Sequence, residues 1–169
     1  FTITGQLSST IDGANIIVVM PYETDVTKLT PAVTVSPAAN YLPIGEQDFT
    51  NPVIYTVTAE DETEKDYTVT VNINIPAPTI ILASAVGTNV QLVKKDVAIT
   101  DIVYTLNYST GATVVGLPEG VDGVYDNGTY TISGIPTKTE YKAYNYTITA
   151  TSLDGYVGND VTITGTITV

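Results

Sequence analysis

Apolar residues and threonines alternate in Tyr67-Thr68-Val69-Thr70-Val71, which puts the apolar side chains on one face of an extended chain and the threonines on the other. Stretches of the same texture recur along the sequence, separated by turn residues. In the first half they predict strands over residues 1–7, 16–20, 32–36, 53–60 and 67–75, with a polar turn around Asp12-Gly13. Pro21 closes the second of these because it has no N–H to give to a ladder. In the second half, strands are expected over 79–85, 102–108, 112–117, 129–133, 143–152 and 161–169. Asp126-Asn127-Gly128, set between Val124-Tyr125 and Thr129-Tyr130, predicts a hairpin, since Asn-Gly accepts the positive φ angles of a type I′ turn. Strands joined by turns without intervening helices point to β-sandwiches.

One strand is written nearly twice, as Tyr55-Thr56-Val57-Thr58-Ala59 and as Tyr146-Thr147-Ile148-Thr149-Ala150. Each copy leads through an acidic or polar turn into another Thr/Val-rich run, the pattern expected of two related all-β domains in tandem. Ile75-Pro76-Ala77-Pro78 marks the boundary, because two prolines around one residue hold the backbone extended. The expected organisation is a small sandwich over 1–75, a short, stiff, Pro-rich linker at 76–78, and a second sandwich over 79–169.

Composition narrows the function classes. Of 169 residues, 43% are hydrophobic and 14% charged, enough apolar material to build cores. The net charge of −12, with six lysines and no arginine, repels phosphate backbones and argues against nucleic acid as a partner. No run approaches the roughly 20 apolar residues of a membrane-spanning helix, and Phe1-Thr2-Ile3-Thr4-Gly5 resembles a strand more than a leader. Without His or Cys, neither Ser-His-Asp and Cys-His catalytic groups nor thiolate or imidazole zinc sites can be assembled. Phosphate-cradling glycine motifs are also missing.

Carboxylate chemistry is what remains. Glu60, Asp61, Glu62, Glu64 and Asp66 are dense enough to suggest a glycosidase pair, but they crowd a turn between two strands, where solvated charge is ordinary. Calcium needs six to eight oxygen ligands, and residues 60–66, residues 122–126, and Asp154 with Asn159-Asp160 qualify by composition alone. None has ordered ligand spacing. The chain is therefore expected to be no enzyme, with no cofactor and no metal site.

Gly116-Leu117-Pro118-Glu119-Gly120-Val121, Tyr130-Thr131-Ile132-Ser133-Gly134-Ile135-Pro136-Thr137, Tyr146-Thr147-Ile148-Thr149-Ala150-Thr151 and Asp154-Gly155 occur in this order. Residues 78–169 thereby resemble the immunoglobulin-like (cadherin/dystroglycan-like) repeats of bacterial surface proteins. The first half carries a run from Met20-Pro21-Tyr22 to Leu29-Thr30-Pro31, then Asp48-Phe49-Thr50-Asn51-Pro52-Val53-Ile54-Tyr55. Over residues 1–75 it is similar to the small β-sandwich modules of Bacteroidetes surface lipoproteins, some implicated in glycan capture. These resemblances imply an all-β chain of two tandem immunoglobulin-like β-sandwich domains. They also imply an extracellular or cell-surface location, with a targeting segment not contained in these residues.

The expected role is that of a non-catalytic spacer or adhesion module, with a glycan or another surface protein as partner and the chain itself a monomer. The alternative is a glycan-binding module of a surface polysaccharide-capture lipoprotein. Twelve tyrosines and no tryptophan supply the aromatic faces a sugar ring stacks on. Tyr125, Tyr130, Tyr141 and Tyr144 cluster around the second domain's hairpin and the loop after it, and are the candidate ligand contacts. Tyr55 and Tyr146, which open the repeated strand, are assigned a core or corner role.

Overall fold

The computed structural model describes residues 1–138 and 141–169, and they are all-β apart from one three-residue 3₁₀ turn. The chain divides into two compact units, Phe1–Ile75 and Pro76–Val169.

In the first unit the strands are β1 (Thr2–Ile3), β2 (Ser8–Asp12), β3 (Asn15–Met20), β4 (Pro31–Ala32), β5 (Asn40–Leu42), β6 (Val53–Thr58) and β7 (Glu64–Ile73). A five-stranded sheet runs β2-β3-β7-β6-β5, with β3 parallel to β7 and the other neighbours antiparallel. Ile16, Val18, Met20, Tyr55 and Val69 form the buried face of this sheet. Opposite lies only a two-stranded ladder of β1 with β4, helped by Ile3, Phe49 and the partly buried Val26, Leu29 and Val33. Asp25 caps the 3₁₀ turn Val26–Lys28 by accepting from the Thr27 N–H at 3.0 Å and the Thr27 hydroxyl at 2.6 Å. The same Asp-x-Thr device recurs at Asp48-Thr50 and Asp61-Thr63.

The expected strands over 1–7 and 32–36 shorten to two residues each. Gly5, at φ +84°, turns the chain just beyond Ile3, and the Gln6 side chain accepts the Ile3 N–H at 2.6 Å. Beyond Ala32, residues 33–37 carry no ladder at all.

The second unit comprises β8 (Thr79–Leu82), β9 (Val90–Leu92), β10 (Ile102–Asn107), β11 (Ser109–Val115), β12 (Val121–Asp126), β13 (Thr129–Gly134), β14 (Ala143–Ser152) and β15 (Thr162–Thr168). Two four-stranded sheets form, β12-β13-β10-β8 and β11-β14-β15-β9. The unit's first segment therefore starts as β8 on one sheet and crosses as β9 to the other, where it runs parallel to the last strand. Lettered in chain order, with β8 and β9 as A and A′, the sheets are ABED and A′GFC, the immunoglobulin topology. Ile102, Tyr104, Leu106, Tyr130 and Ile132 from one sheet meet Tyr146, Ile148, Ala150 and Ile167 from the other. The hairpin between β12 and β13 turns on Asn127 at φ +47° and Gly128 at φ +82°, as the Asn-Gly pair predicts.

The Gly-Leu-Pro and Gly-Ile-Pro segments come together. Val121 pairs with Gly134, the Ile135 N–H donates to the Gly120 carbonyl at 2.9 Å, and the Thr137 N–H donates to the Glu119 carbonyl at 3.0 Å. Gly134 sits at φ +136° with the Gly120 carbonyl where a side chain would begin, so only glycine fits.

The two copies of the repeated strand take corresponding places. β14 lies between β11 and the last strand β15, which pairs in parallel with β9; β6 lies between β5 and the last strand β7, which pairs in parallel with β3. The units share one sheet plan and differ in the sheet that faces it.

Candidate functional site

Tyr146 and Tyr55 begin from the same local sequence and are both buried, at 0% and 3% exposure. Their hydroxyls meet different fates. The Tyr146 hydroxyl lies 2.9 Å from that of Tyr104 on β10 in the facing sheet, and 3.5 Å from the Asn89 carbonyl. Gly165, opposite Tyr146 on β15, leaves the space the phenol occupies. Burial pushes both phenol pKa values up, and for Tyr146 the neighbouring Tyr104 adds to the effect.

Tyr55 has no such partner. The facing ladder of its unit is two residues wide and brings no strand across it, and among the described residues its buried hydroxyl makes no hydrogen bond. Burial first, and Tyr41 second, raise its pKa from 10.0 to about 12. The Phe1 ring packs edge-on at 5.2 Å between centroids, and the Tyr41 ring lies tilted at 6.5 Å. Where the facing layer stops, a groove of about 790 Å³ opens along the sheet. Ile11, Ile16, Tyr55, Val57 and Tyr67 line one side, and Phe1 with the ladder-free stretch after Ala32 lines the other. Ile11 is 59% exposed there, and Lys65 Nζ sits 5.1 Å from the centre of the Tyr67 ring.

The four tyrosines singled out by sequence do not form one aromatic platform. Tyr130 is 2% exposed and belongs to the core, so burial withdraws it from any ligand. Its strand partner Tyr125 packs against the same core and donates its hydroxyl to the Ser109 carbonyl at 3.1 Å. Tyr144 shares the inward face of β14 with Tyr146, with Lys142 Nζ 5.1 Å from its ring centre. Only Tyr141, 87% exposed, presents its ring to solvent. It borders a cleft of about 500 Å³ with Leu92, Lys94, Lys95, Lys138 and Val169. That cleft gathers three of the chain's six lysines, and Lys138 pairs with Glu119 at 3.1 Å.

The acidic segments serve the backbone. Asp61 closes a turn with Thr63, and hydrogen bonds from the Thr63 hydroxyl and N–H hold its carboxyl below the usual range. Asp66 accepts the Thr56 hydroxyl at 2.6 Å across the β6–β7 pair, and Asp122 accepts the Gly123 N–H at 2.8 Å. Among the described residues no group of three Asp or Glu side chains gathers closely enough to hold a metal ion. No helix of the described residues is long and apolar enough to cross a membrane.

Residues 1–71, nearly the whole first unit, match the model of the family described as SGBP, N-terminal. No curated protein matches the chain in sequence. Similar solved structures include a Bacteroides thetaiotaomicron protein described as a glycoside hydrolase candidate, at 28% identity and TM-score 0.41, covering 62% of this chain and 29% of that one. The Bacteroides ovatus SGBP-B of a mixed-linkage glucan utilization locus, solved with a mixed-linkage heptasaccharide, aligns over 99% of this chain and 47% of its own, at 15% identity and TM-score 0.26. The human desmocollin-1 ectodomain aligns over 95% of this chain and 36% of its own, at 10% identity and TM-score 0.30. With TM-scores below 0.5, none of these alignments bears on activity. The chain spans less than a third of the first of these proteins and less than half of the other two.

Proposed function

We propose that this chain is a non-catalytic module of a cell-surface glycan-binding protein of the Bacteroidetes lipoprotein type. The match of residues 1–71 to the SGBP N-terminal family carries this reading. The acidic residues support the non-catalytic part, since Asp61, Asp66 and Asp122 are engaged in turn and cross-strand hydrogen bonds. A glycan array probed with the whole chain tests the reading, with release of reducing ends from the same polysaccharides as the check on catalysis. Binding without release is the expected result; release of reducing ends overturns the non-catalytic assignment.

A second reading, that of a spacer or adhesion module, draws on the inward placement of Tyr125, Tyr130 and Tyr144. These rings build a sandwich, so of the four candidate tyrosines only Tyr141 keeps an exposed ring on the second unit. An array on which no glycan is retained favours the spacer.

A further inference from the structure

From the unpartnered Tyr55 hydroxyl and the groove beside it, we infer that the first unit holds its own saccharide site, one that takes a neutral pyranose ring along the inner face of β6 and β7. The inference rests on the glycan-binding reading and deepens it by naming the site.

Comparison of the two units supplies the argument. In the second, the hydroxyl of the repeated strand's tyrosine is met by Tyr104 from the facing sheet. In the first, that sheet has shrunk to β1 and β4, and two things are left behind: a buried phenol oxygen without a partner, and an open groove lined by Tyr55 itself. A buried polar group without a hydrogen bond is costly, so such a group beside a cavity points to a ligand that completes it. The walls fit a sugar. The rings of Phe1 and Tyr67 and the side chains of Ile11, Ile16 and Val57 supply apolar area for the C–H face of a pyranose. Thr34, Ser36 and Glu60 supply polar groups at the edges for its hydroxyls. A ring hydroxyl of the ligand takes the place that Tyr104 holds in the second unit. The Tyr55 hydroxyl is itself covered, so the side chains over it must shift for the ligand to reach it.

The test is calorimetric titration of the whole chain with maltohexaose, cellohexaose and mannohexaose, repeated with Tyr55→Phe and Ile11→Arg. Tyr55→Phe removes only the unpartnered oxygen, and Ile11→Arg fills the groove from an exposed position, so both variants keep the fold; their melting curves check this. The expected result is binding of at least one hexasaccharide, weakened about five- to tenfold by Tyr55→Phe, the worth of one hydrogen bond, and lost in Ile11→Arg. Binding that ignores both changes overturns the inference and leaves the glycan-binding reading in place. A change of oligomeric state in Ile11→Arg overturns it in favour of a second copy of the chain as occupant. No binding of any hexasaccharide to the unaltered chain overturns it as well; retention of other glycans on the array then keeps the broader reading alive, and none removes both.

Discussion

Removing one phenol oxygen should have opposite consequences in the two units. Tyr146→Phe leaves the Tyr104 hydroxyl, at 0% exposure, without its one hydrogen-bond partner among the described residues. Stranding a buried hydroxyl costs about 1–3 kcal/mol. For a domain the size of the second unit, each kcal/mol moves the melting temperature by roughly 4–8 °C. A loss of about 1.5 kcal/mol therefore lowers its transition by roughly 6–12 °C. Tyr104→Phe costs somewhat less, because Tyr146 keeps the longer bond to the Asn89 carbonyl at 3.5 Å. The double variant should recover much of the loss, since an apolar pair of similar shape strands nothing. Tyr55→Phe removes a hydroxyl that has no partner and should be neutral or stabilising by up to about 1 kcal/mol. Urea titration and differential scanning calorimetry of the whole chain, resolving the transitions of the two units, give all four values. Tyr146→Phe indistinguishable from the parent, or a double variant as unstable as the two single losses combined, would refute the reasoning.

Gly165→Ala sets a methyl group against the Tyr146 hydroxyl and the Asn89 carbonyl, and a loss of about 1–3 kcal/mol is expected in the second unit's urea transition. Tyr141→Ala should leave both melting transitions unmoved, because the ring is 87% exposed; a shift of several degrees would place it in the packing. Alkali should destabilise the fold. The phenols of Tyr55, Tyr104, Tyr130 and Tyr146 titrate above their unfolded value of about 10, so the unfolded chain loses these protons first. Stability is intact below pH 10 and falls as pH rises from there, for Tyr55 through about 12. Three of the four lie in the second unit, whose calorimetric transition should fall further. At the acid end, Asp25, Asp48 and Asp61 have lowered pKa values from their threonine hydrogen bonds, so their stabilisation is present above about pH 4 and lost as pH falls below it. Thr63→Val should flatten that acid limb for the first unit, read as melting temperature against pH.

The legible parts of the fold are those whose side chains feel a one-sided core. The strand predicted over 143–152 forms over those residues, because it lies between two neighbours and its inward positions from Tyr144 to Ala150 are apolar without a break. The strands without a sequence signal, β2, β5 and β9, are all at sheet edges. Ser8–Asp12 is exposed at every position, so nothing forces alternation there, and its residues run without a strand pattern into the polar turn around Asp12-Gly13. The candidate site was harder to read for the same reason. Tyr55 and Tyr146 look alike along the chain, and only the missing strand opposite Tyr55 distinguishes an unsatisfied hydroxyl from a satisfied one. Conversely, Tyr125, Tyr130 and Tyr144 are close in sequence to exposed Tyr141, yet strand alternation turns all three inward. A weak signal for the groove did exist: Ile11 is the one apolar residue of the otherwise polar β2.

The hydroxyl pair of Tyr104 and Tyr146 joins strands B and F, the place where antibody domains carry their inter-sheet disulfide. This chain has no cysteine, so its central cross-sheet link is remade by geometry alone. A domain stapled this way needs no oxidant and no isomerase to mature, and it cannot be trapped by mispaired thiols. When tension or heat opens the second unit, the link reforms as soon as the two strands meet again, as readily in a reducing medium as in air.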